Sequence, residues 1–176
     1  MRNKALTGAL LGLALGGLAT LEGTSKVAYR DIAGVPTICS GTTAGVRMGD
    51  TATDADCYRM TLADYRKFEK VVLDNITIPL KVNEQVALTY LCYNIGAGRK
   101  ATATRKQVDG CITSTAFRLF NQGRTMEGCE AFRLWNKVTI NRRRVRSKGL
   151  DNRRDAEVRL CVTPSSLYSF SPLLPE

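Results

Sequence analysis

The sequence predicts an α+β protein in which a small β region precedes a group of helices. Short segments punctuated by Thr and Gly occupy residues 23–50, whereas longer segments with helical periodicity follow them. The 176 residues, of which 44% are hydrophobic, suffice for one globular domain with its own core. We therefore expect the strands and helices to be segregated along the chain.

Two short strands are predicted at residues 27–29 and 35–39. Both segments are rich in β-branched or aromatic side chains, and the Ala-Gly dipeptide at 33–34 is typical of a turn between them. A β-hairpin therefore opens the domain.

Helices are predicted over most of the remaining chain. Thr53 followed by Asp56 is typical of a capping box, which predicts a helix from there to about residue 74. A second helix is expected to begin near Asn83 and to end at Gly96 and Gly98. The other segments are predicted as helices at 113–121, 125–137 and 152–161, a basic loop at 99–112 and a disordered tail at 163–176.

The chain is strongly basic. It has 26 Lys and Arg against 16 Asp and Glu, a net charge of +10, and most of the excess lies in residues 118–159. Such a surface either attracts polyanions or simply keeps the protein soluble. No recognition motif accompanies the basic residues, so we expect no nucleic-acid partner.

Histidine is absent from the sequence. This excludes Ser-His-Asp triads, Cys-His proteases and hydrolases whose zinc is held by histidine. Acid–base chemistry must then use carboxylates, Lys, Tyr or Cys. We expect neither a metal nor a cofactor.

Six cysteines suggest an oxidising compartment. None lies closer than 18 positions to the next, so zinc-binding spacing is missing. An even number in a small chain fits three disulfides, and buried free thiols are the alternative. The sequence leaves the connectivity open. The candidates for pairing are Cys39, Cys57, Cys92, Cys111, Cys129 and Cys161.

The N-terminus resembles an export signal. Arg2 and Lys4 precede an uncharged apolar run at 5–21, which is short for a bilayer span and is weakened by four glycines. The run could be cleaved, could be retained as a temporary tether, or could be a helix of a soluble protein. As a helix, it would place Leu6, Leu10, Leu13 and Leu21 on one face.

Three residues near this run form a candidate acid–base site. Glu22 follows the apolar run, Asp31 lies beside the first strand, and Thr37 lies on the second. A carboxyl group against an apolar helix is expected to keep its proton, whereas one in a wetter hairpin ionises. That difference is typical of glycosidases. Three unrelated surface residues are the alternative reading of this spacing.

The neighbouring residues resemble phage lysozymes of the T-even type, glycoside hydrolase family 24. Within that group, the chain is most similar to signal-arrest-release endolysins of lambdoid phages. The resemblance covers residues 21–161. It is carried by Leu-Glu-Gly at 21–23, Ala-Tyr-Arg-Asp at 28–31, Thr-Ile-Cys-Ser-Gly at 37–41, Tyr-Asn-Ile-Gly-Ala-Gly at 93–98 and shorter blocks at 114–115, 121–123, 133–135 and 149–157.

This resemblance implies a lysozyme-like fold, with a helical C-terminal lobe joined to the β region by a long helix. It implies hydrolysis of the β-1,4 bond between N-acetylmuramic acid and N-acetylglucosamine, with inversion. Glu22 would donate the proton, Asp31 would activate the water and Thr37 would help to hold it. Asn94 and Gly41 would contact the substrate, although Asn94 could equally serve to end a helix.

The resemblance also implies a domain organisation and a location. Residues 1–21 would be a signal-arrest-release segment, 22–162 the catalytic domain and 163–176 the tail. A monomer would be exported by the host secretion pathway, held at the inner membrane through residues 5–21 and then released into the periplasm.

One departure from the family lies beside the site, where Ser40 and Thr42 occupy a stretch that usually carries Gly-His. Two other functions are considered. A lytic transglycosylase would keep the Glu but would not need Asp31 and Thr37. A cationic lysin without catalysis would depend only on the charge and the apolar N-terminus.

Overall fold

The computed structural model describes residues 3–31, 34–140 and 142–163. Two short 3₁₀ turns, Cys111–Thr113 and Ala131–Leu134, accompany the regular elements. In chain order these elements are α1 (Gly8–Glu22), β1 (Ser25–Arg30), β2 (Pro36–Cys39), α2 (Asp54–Asn75), α3 (Val82–Ile95), α4 (Thr115–Asn121), α5 (Thr125–Glu130), β3 (Lys137–Ile140), β4 (Arg143–Arg146) and α6 (Lys148–Val162).

The described residues divide into two compact units. Residues 6–67 form the N-terminal unit, and residues 3–5 with 68–163 form the C-terminal unit. Helix α2 contributes residues to both units. Strands β1 and β2 come early and most helices later, as the sequence predicts.

The N-terminal unit is built around the β1–β2 hairpin. The strands are antiparallel, with Tyr29 opposite Thr37 and Arg30 opposite Pro36. Ala28 and Ile38 are buried together with the Cys39–Cys57 disulfide, whose Cα atoms are 5.0 Å apart. The predicted hairpin is confirmed, although Ala33 of the predicted turn lies outside the described residues.

Helix α1 does not bury the face that carries Leu10 and Leu13. Ala14, Leu15 and Leu18 are buried, whereas Leu10 is 46% exposed and Leu13 is 39% exposed. The segment is apolar all round, so helical periodicity alone cannot choose between its faces. Within the described part of the chain, no helix is both long enough and apolar enough to span a bilayer.

The predicted capping box of α2 is confirmed. The Asp56 carboxylate accepts hydrogen bonds from the Thr53 amide (2.9 Å) and the Thr53 hydroxyl (2.6 Å), and the Asp56 amide donates to that hydroxyl (3.1 Å). These bonds satisfy amides at the helix start that have no partner within the helix. The two bonds that Thr53 donates to the Asp56 carboxylate, with a further one from Arg59, hold the pKa of Asp56 at about 2, below its usual 3.8.

The C-terminal unit holds the larger core. Ten consecutive residues of α3, 83–92, are buried, and α3 packs against α6. Phe117, Phe120 and Phe132 fill the same cluster. Two disulfides, Cys92–Cys111 and Cys129–Cys161, join its elements. All three disulfides therefore connect cysteines that are neighbours along the sequence.

The region after α5 differs from the prediction. Instead of one helix over 125–137, the chain makes a short helix, a 3₁₀ turn and then the β3–β4 hairpin. The β-branched residues at 138–140 favour a strand and lie beyond the predicted helix, so the hairpin lies almost entirely in a stretch for which the sequence predicts no element. Helix α6 begins at Lys148, where the Ser147 hydroxyl accepts from the Leu150 amide. Residues 164–176 of the predicted tail lie outside the described residues.

Candidate active site

Asp31 and Thr37 are brought together by the backbone of Val35. One carboxylate oxygen of Asp31 accepts a hydrogen bond from the Val35 amide at 2.8 Å. The Thr37 hydroxyl donates to the Val35 carbonyl at 3.0 Å. Two predicted site residues are therefore bonded to the backbone of one residue, Asp31 to its amide and Thr37 to its carbonyl. The sequence pattern contains no signal for this role of Val35, because any residue supplies the same backbone groups.

The turn that carries Asp31 is closed by several hydrogen bonds. The Asp31 amide donates to the Val35 carbonyl (3.0 Å), and the Gly34 amide donates to the Asp31 carbonyl (2.8 Å). The Arg30 guanidinium donates to the Gly34 carbonyl at 2.8 Å. Gly34 has φ of +79°, a conformation that glycine adopts without strain. Asp31 therefore has a fixed backbone although it lies in a loop.

Glu22 is the last residue of α1 and is half-buried. The helix ends there because Gly23 adopts φ of +71° and its amide donates to the Ala19 carbonyl at 2.9 Å. The next residue, Thr24, places its hydroxyl 3.3 Å from the Ser40 hydroxyl at the end of β2. A short connection thus links the Glu22 end of α1 to the hairpin within one unit.

Gly41 lies in a tight turn directly after β2. Ile38 and Thr42 exchange two backbone hydrogen bonds (2.9 and 3.0 Å) across this turn, and Gly41 has φ of +95°. The Thr42 hydroxyl donates to the Asp64 carboxylate of α2 at 2.7 Å. Ser40 and Thr42, the residues that depart from the family pattern, lie in the turn after β2, and both are buried.

Asn94 lies near the end of α3 in the C-terminal unit. Its side-chain oxygen accepts a hydrogen bond from the Arg154 guanidinium at 2.7 Å. Arg154 is fully buried and lies 3.1 Å from the Glu157 carboxylate, which also accepts from Arg153 at 2.9 Å. The sequence pattern assigns Arg154 no role in the site, although its spacing from Glu157 on α6 is that of a helical ion pair.

A family model describing phage lysozymes matches residues 19–157, which include the whole N-terminal site and Asn94. The chain belongs to the phage lysozyme family. This lysozyme is therefore a glycoside hydrolase, an endolysin that hydrolyses peptidoglycan, as the sequence predicts.

Relatives and solved structures agree with that assignment. The lysozyme is 59% identical to the SAR-endolysin of Pseudomonas phage phiKMV over 95% of this chain and 97% of the relative. An endolysin from Escherichia coli O157:H7 phage FAHEc1 is 32% identical, covers 96% of this chain and 99% of its own, and superposes with a TM-score of 0.78. The muramidase domain of SpmX from Asticaccaulis excentricus is 25% identical, with a TM-score of 0.75 over 86% of this chain and 96% of that domain. The predicted lysozyme-like α+β fold is confirmed.

Proposed function

We propose that this lysozyme cleaves the β-1,4 bond between N-acetylmuramic acid and N-acetylglucosamine with Glu22 as general acid and Asp31 as general base, and that Thr37 holds the attacking water. The observation that carries this assignment is the shared attachment of Asp31 and Thr37 to Val35. It gives a carboxylate and a hydroxyl a fixed spacing, which a positioned water requires.

The hydrogen bond that the Thr37 hydroxyl already makes determines whether it donates to that water or accepts from it. A hydroxyl has one proton to donate, and the Thr37 proton is directed to the Val35 carbonyl. Towards a water molecule, the Thr37 oxygen is then an acceptor. A water that donates one proton to Asp31 and the other to Thr37 keeps a lone pair to attack the anomeric carbon.

The reaction balances without a further reactant. Glu22 transfers its proton to the glycosidic oxygen as the bond to the anomeric carbon breaks. The water oxygen bonds to that carbon from the opposite face, and its proton passes to Asp31. Attack from the opposite face inverts the anomeric configuration. Proton exchange with solvent then restores the acid form of Glu22 and the carboxylate of Asp31.

Asn94 and Gly41 are proposed to contact the sugar chain. Because Arg154 occupies the side-chain oxygen of Asn94, the amide of Asn94 is oriented to offer N–H donors to a ligand. Carbonyl oxygens of N-acetyl groups are suitable acceptors. Gly41, in its tight turn, can offer backbone groups without a side chain in the way.

Replacing Glu22 by Gln tests the general acid. We expect murein clearing to fall by about 10²–10⁴-fold with the melting temperature unchanged, because the amide cannot supply the proton. Glu130→Gln is the matched control, since Glu130 is an exposed residue of α5, and it should clear normally. Full clearing by Glu22→Gln would contradict the proposal and would favour a lysin that needs no catalysis.

Product analysis tests the water. Hydrolysis with inversion predicts reducing ends that first appear as the α-anomer, which proton NMR detects during digestion of purified murein. Anhydromuramyl ends would instead identify a transglycosylase. Initial formation of the β-anomer would mean that Asp31 acts as a nucleophile.

We further propose that residues 1–21 are a signal-arrest-release segment preceding a catalytic domain at 22–162, with a C-terminal tail at 163–176. The host secretion pathway would export the protein as a monomer that is first held at the inner membrane through residues 5–21 and later acts in the periplasm. The named similarity to SAR-endolysins supports this proposal. The long α2 would join a small β-containing lobe, preceded by α1, to the helical lobe.

Contacts of Asn3 and Lys4 supply a reason for release. The Asn3 side chain donates to the Ile78 carbonyl and accepts from the Leu80 amide, both at 2.8 Å, and the Lys4 carbonyl accepts from the Gln85 side chain at 3.0 Å. Basic flanking residues favour the cytoplasmic side for this end of a membrane-inserted segment. It could then meet residues 78–85 only after extraction, so these bonds stabilise the released state alone.

We call these contacts of Asn3 and Lys4 the latch. Asn3→Ala tests whether the latch favours release. Losing two hydrogen bonds should shift the distribution from released to membrane-bound protein by about 5–30-fold, measured by fractionating cells that express a Glu22→Gln background. Thr7→Ala is the control, because the Thr7 side chain makes no capping bond to α1. Identical distributions for the two variants would contradict the latch.

A further inference from the structure

The β3–β4 hairpin lies outside the proposed hydrolytic machinery. Its register pairs Val138 with Val145 and Ile140 with Arg143. Because paired residues of an antiparallel ladder share a face, Val138, Ile140 and Val145 lie together on one face of the hairpin, with Arg143 beside them. Ile140 is 49% exposed and Val145 is 45% exposed, so this face is open to solvent.

The opposite face and the tip are cationic. Lys137 and Arg144 lie on the face opposite the aliphatic side chains, and Arg142 occupies the tip with φ of +64°. No acidic residue occurs in residues 137–146. In the part of the chain that the structure describes, none of Lys137, Arg142, Arg143 and Arg144 forms an ion pair. Their charges are therefore available to a partner.

The base of the hairpin is firmly attached. The Asp151 carboxylate of α6 accepts from Asn136 (2.8 Å) and from Arg146 (2.7 Å), residues at the two ends of the hairpin. The Ser147 amide also donates to the Asn136 carbonyl at 2.9 Å. The hairpin is thus a fixed feature of the C-terminal unit rather than a loose basic loop.

We propose that this hairpin is a docking surface for an anionic phospholipid bilayer. Cations alone would suit any polyanion, but a soluble polyanion offers nothing to exposed aliphatic side chains. The boundary of a bilayer offers phosphates to Lys and Arg and hydrocarbon to Val and Ile. The combination of three aliphatic side chains beside Arg143 on one face, a cationic opposite face and a basic tip therefore favours a lipid surface.

Vesicle sedimentation with full-length protein tests the charges. We expect binding to vesicles of phosphatidylethanolamine and phosphatidylglycerol (about 3:1) and much weaker binding to pure phosphatidylcholine. Replacing Arg143 and Arg144 by Gln should weaken binding to the anionic vesicles by about 30-fold, since each cation near such a surface is worth about a fivefold change. Arg105→Gln with Lys106→Gln removes two exposed cations elsewhere in the same unit and should change binding less than about twofold.

Replacing Ile140 and Val145 by Thr tests the aliphatic face, and Thr keeps the β-branched shape that suits a strand. Vesicle binding should fall by at least about fourfold, whereas binding to dextran sulfate, a soluble polyanion, should stay unchanged. Val108→Thr is the control, because Val108 is 46% exposed outside this hairpin.

Three results would overturn the proposal. The first is that replacing Arg143 and Arg144 weakens vesicle binding no more than replacing Arg105 and Lys106 does. The others are equal binding to anionic and to phosphatidylcholine vesicles, and unchanged vesicle binding when Ile140 and Val145 are replaced by Thr. Helix α1 is the same in every variant, so any affinity that it adds cancels in these comparisons. Clearing of purified, membrane-free murein should be unaffected by all hairpin variants. That measurement separates failure of this proposal from failure of the catalytic assignment.

Discussion

The two units of this lysozyme are stabilised in different ways. The C-terminal unit contains a cluster of sixteen buried hydrophobic residues, whereas the cluster around the hairpin of the N-terminal unit has four, two of which form a disulfide. The N-terminal unit carries Glu22, Asp31 and Thr37. The hairpin that carries Asp31 and Thr37 is therefore held by a crosslink and turn hydrogen bonds more than by apolar packing, whereas Glu22 ends a helix whose Ala14, Leu15 and Leu18 are buried.

This difference has a physical consequence for how stability is distributed. Segments with few buried apolar contacts open locally at lower cost than a large core does. We expect the proposed acid–base residues to lie in the less stable part of the protein.

The largest effect is expected from Glu157→Ala in the C-terminal unit. Glu157 and Arg154 are both fully buried, so the change removes a partner from an internal arginine and should cost about 3–5 kcal/mol in the free energy of unfolding. Urea denaturation measures this. Glu130→Ala, which removes an exposed partner of Arg133, should cost less than about 1 kcal/mol. Equal costs would show that the buried pair contributes no more than a surface one.

A smaller effect, about 3 kcal/mol, is expected from replacing both Cys39 and Cys57 by Ala. Hydrogen exchange should accelerate at residues 25–39 while the α3 amides stay protected, and murein clearing should fall because the hairpin loses its covalent link to α2. If α3 loses protection to the same degree as the hairpin, the two units unfold together and the comparison fails.

The smallest effect concerns the cap of α2. Thr53→Ala should lower the melting temperature by about 4 °C at pH 7. Thr104→Ala, a change at an exposed position in the 99–112 loop, should leave it unchanged.

The cap also predicts a pH dependence. Hydrogen bonds from the Thr53 hydroxyl, then from its amide and from Arg59, depress the pKa of Asp56 from 3.8 to about 2 in the folded protein. A group with a depressed pKa stabilises the fold above its unfolded value and loses that contribution as the pH falls. The melting temperature should therefore fall between about pH 4 and pH 2, and less steeply in Thr53→Ala. Parallel curves would contradict this account.

Local patterns predicted much of this structure correctly. The β1–β2 hairpin, the Thr53–Asp56 cap and the end of α3 at Gly96 all depend on residues close in sequence, so short-range chemistry suffices to locate them. The catalytic pairing of Asp31 with Thr37 stays a prediction, made from their place on the hairpin and from the family resemblance.

Other features could not be predicted because they depend on distant partners. The buried face of α1 is chosen by what packs against Leu15 and Leu18, not by the uniformly apolar helix itself. The β3–β4 hairpin lies almost entirely beyond the helix predicted over 125–137, in a stretch for which the sequence predicts no element, and that helix is itself divided into α5 and a 3₁₀ turn. The orientation of Asn94 depends on Arg154, 60 residues further along the chain.

By itself, then, the sequence determined the chemical class of this protein: two carboxylates and a hydroxyl at a helix–hairpin junction, no histidine, six pairable cysteines and a basic surface. The tertiary structure decided how those groups are held. Val35 fixes Asp31 and Thr37 through its backbone, and Arg154 orients the amide of Asn94. The reason is that residue types set which protons can move, whereas backbone hydrogen bonds and long-range packing, which no single residue type encodes, set where those protons are.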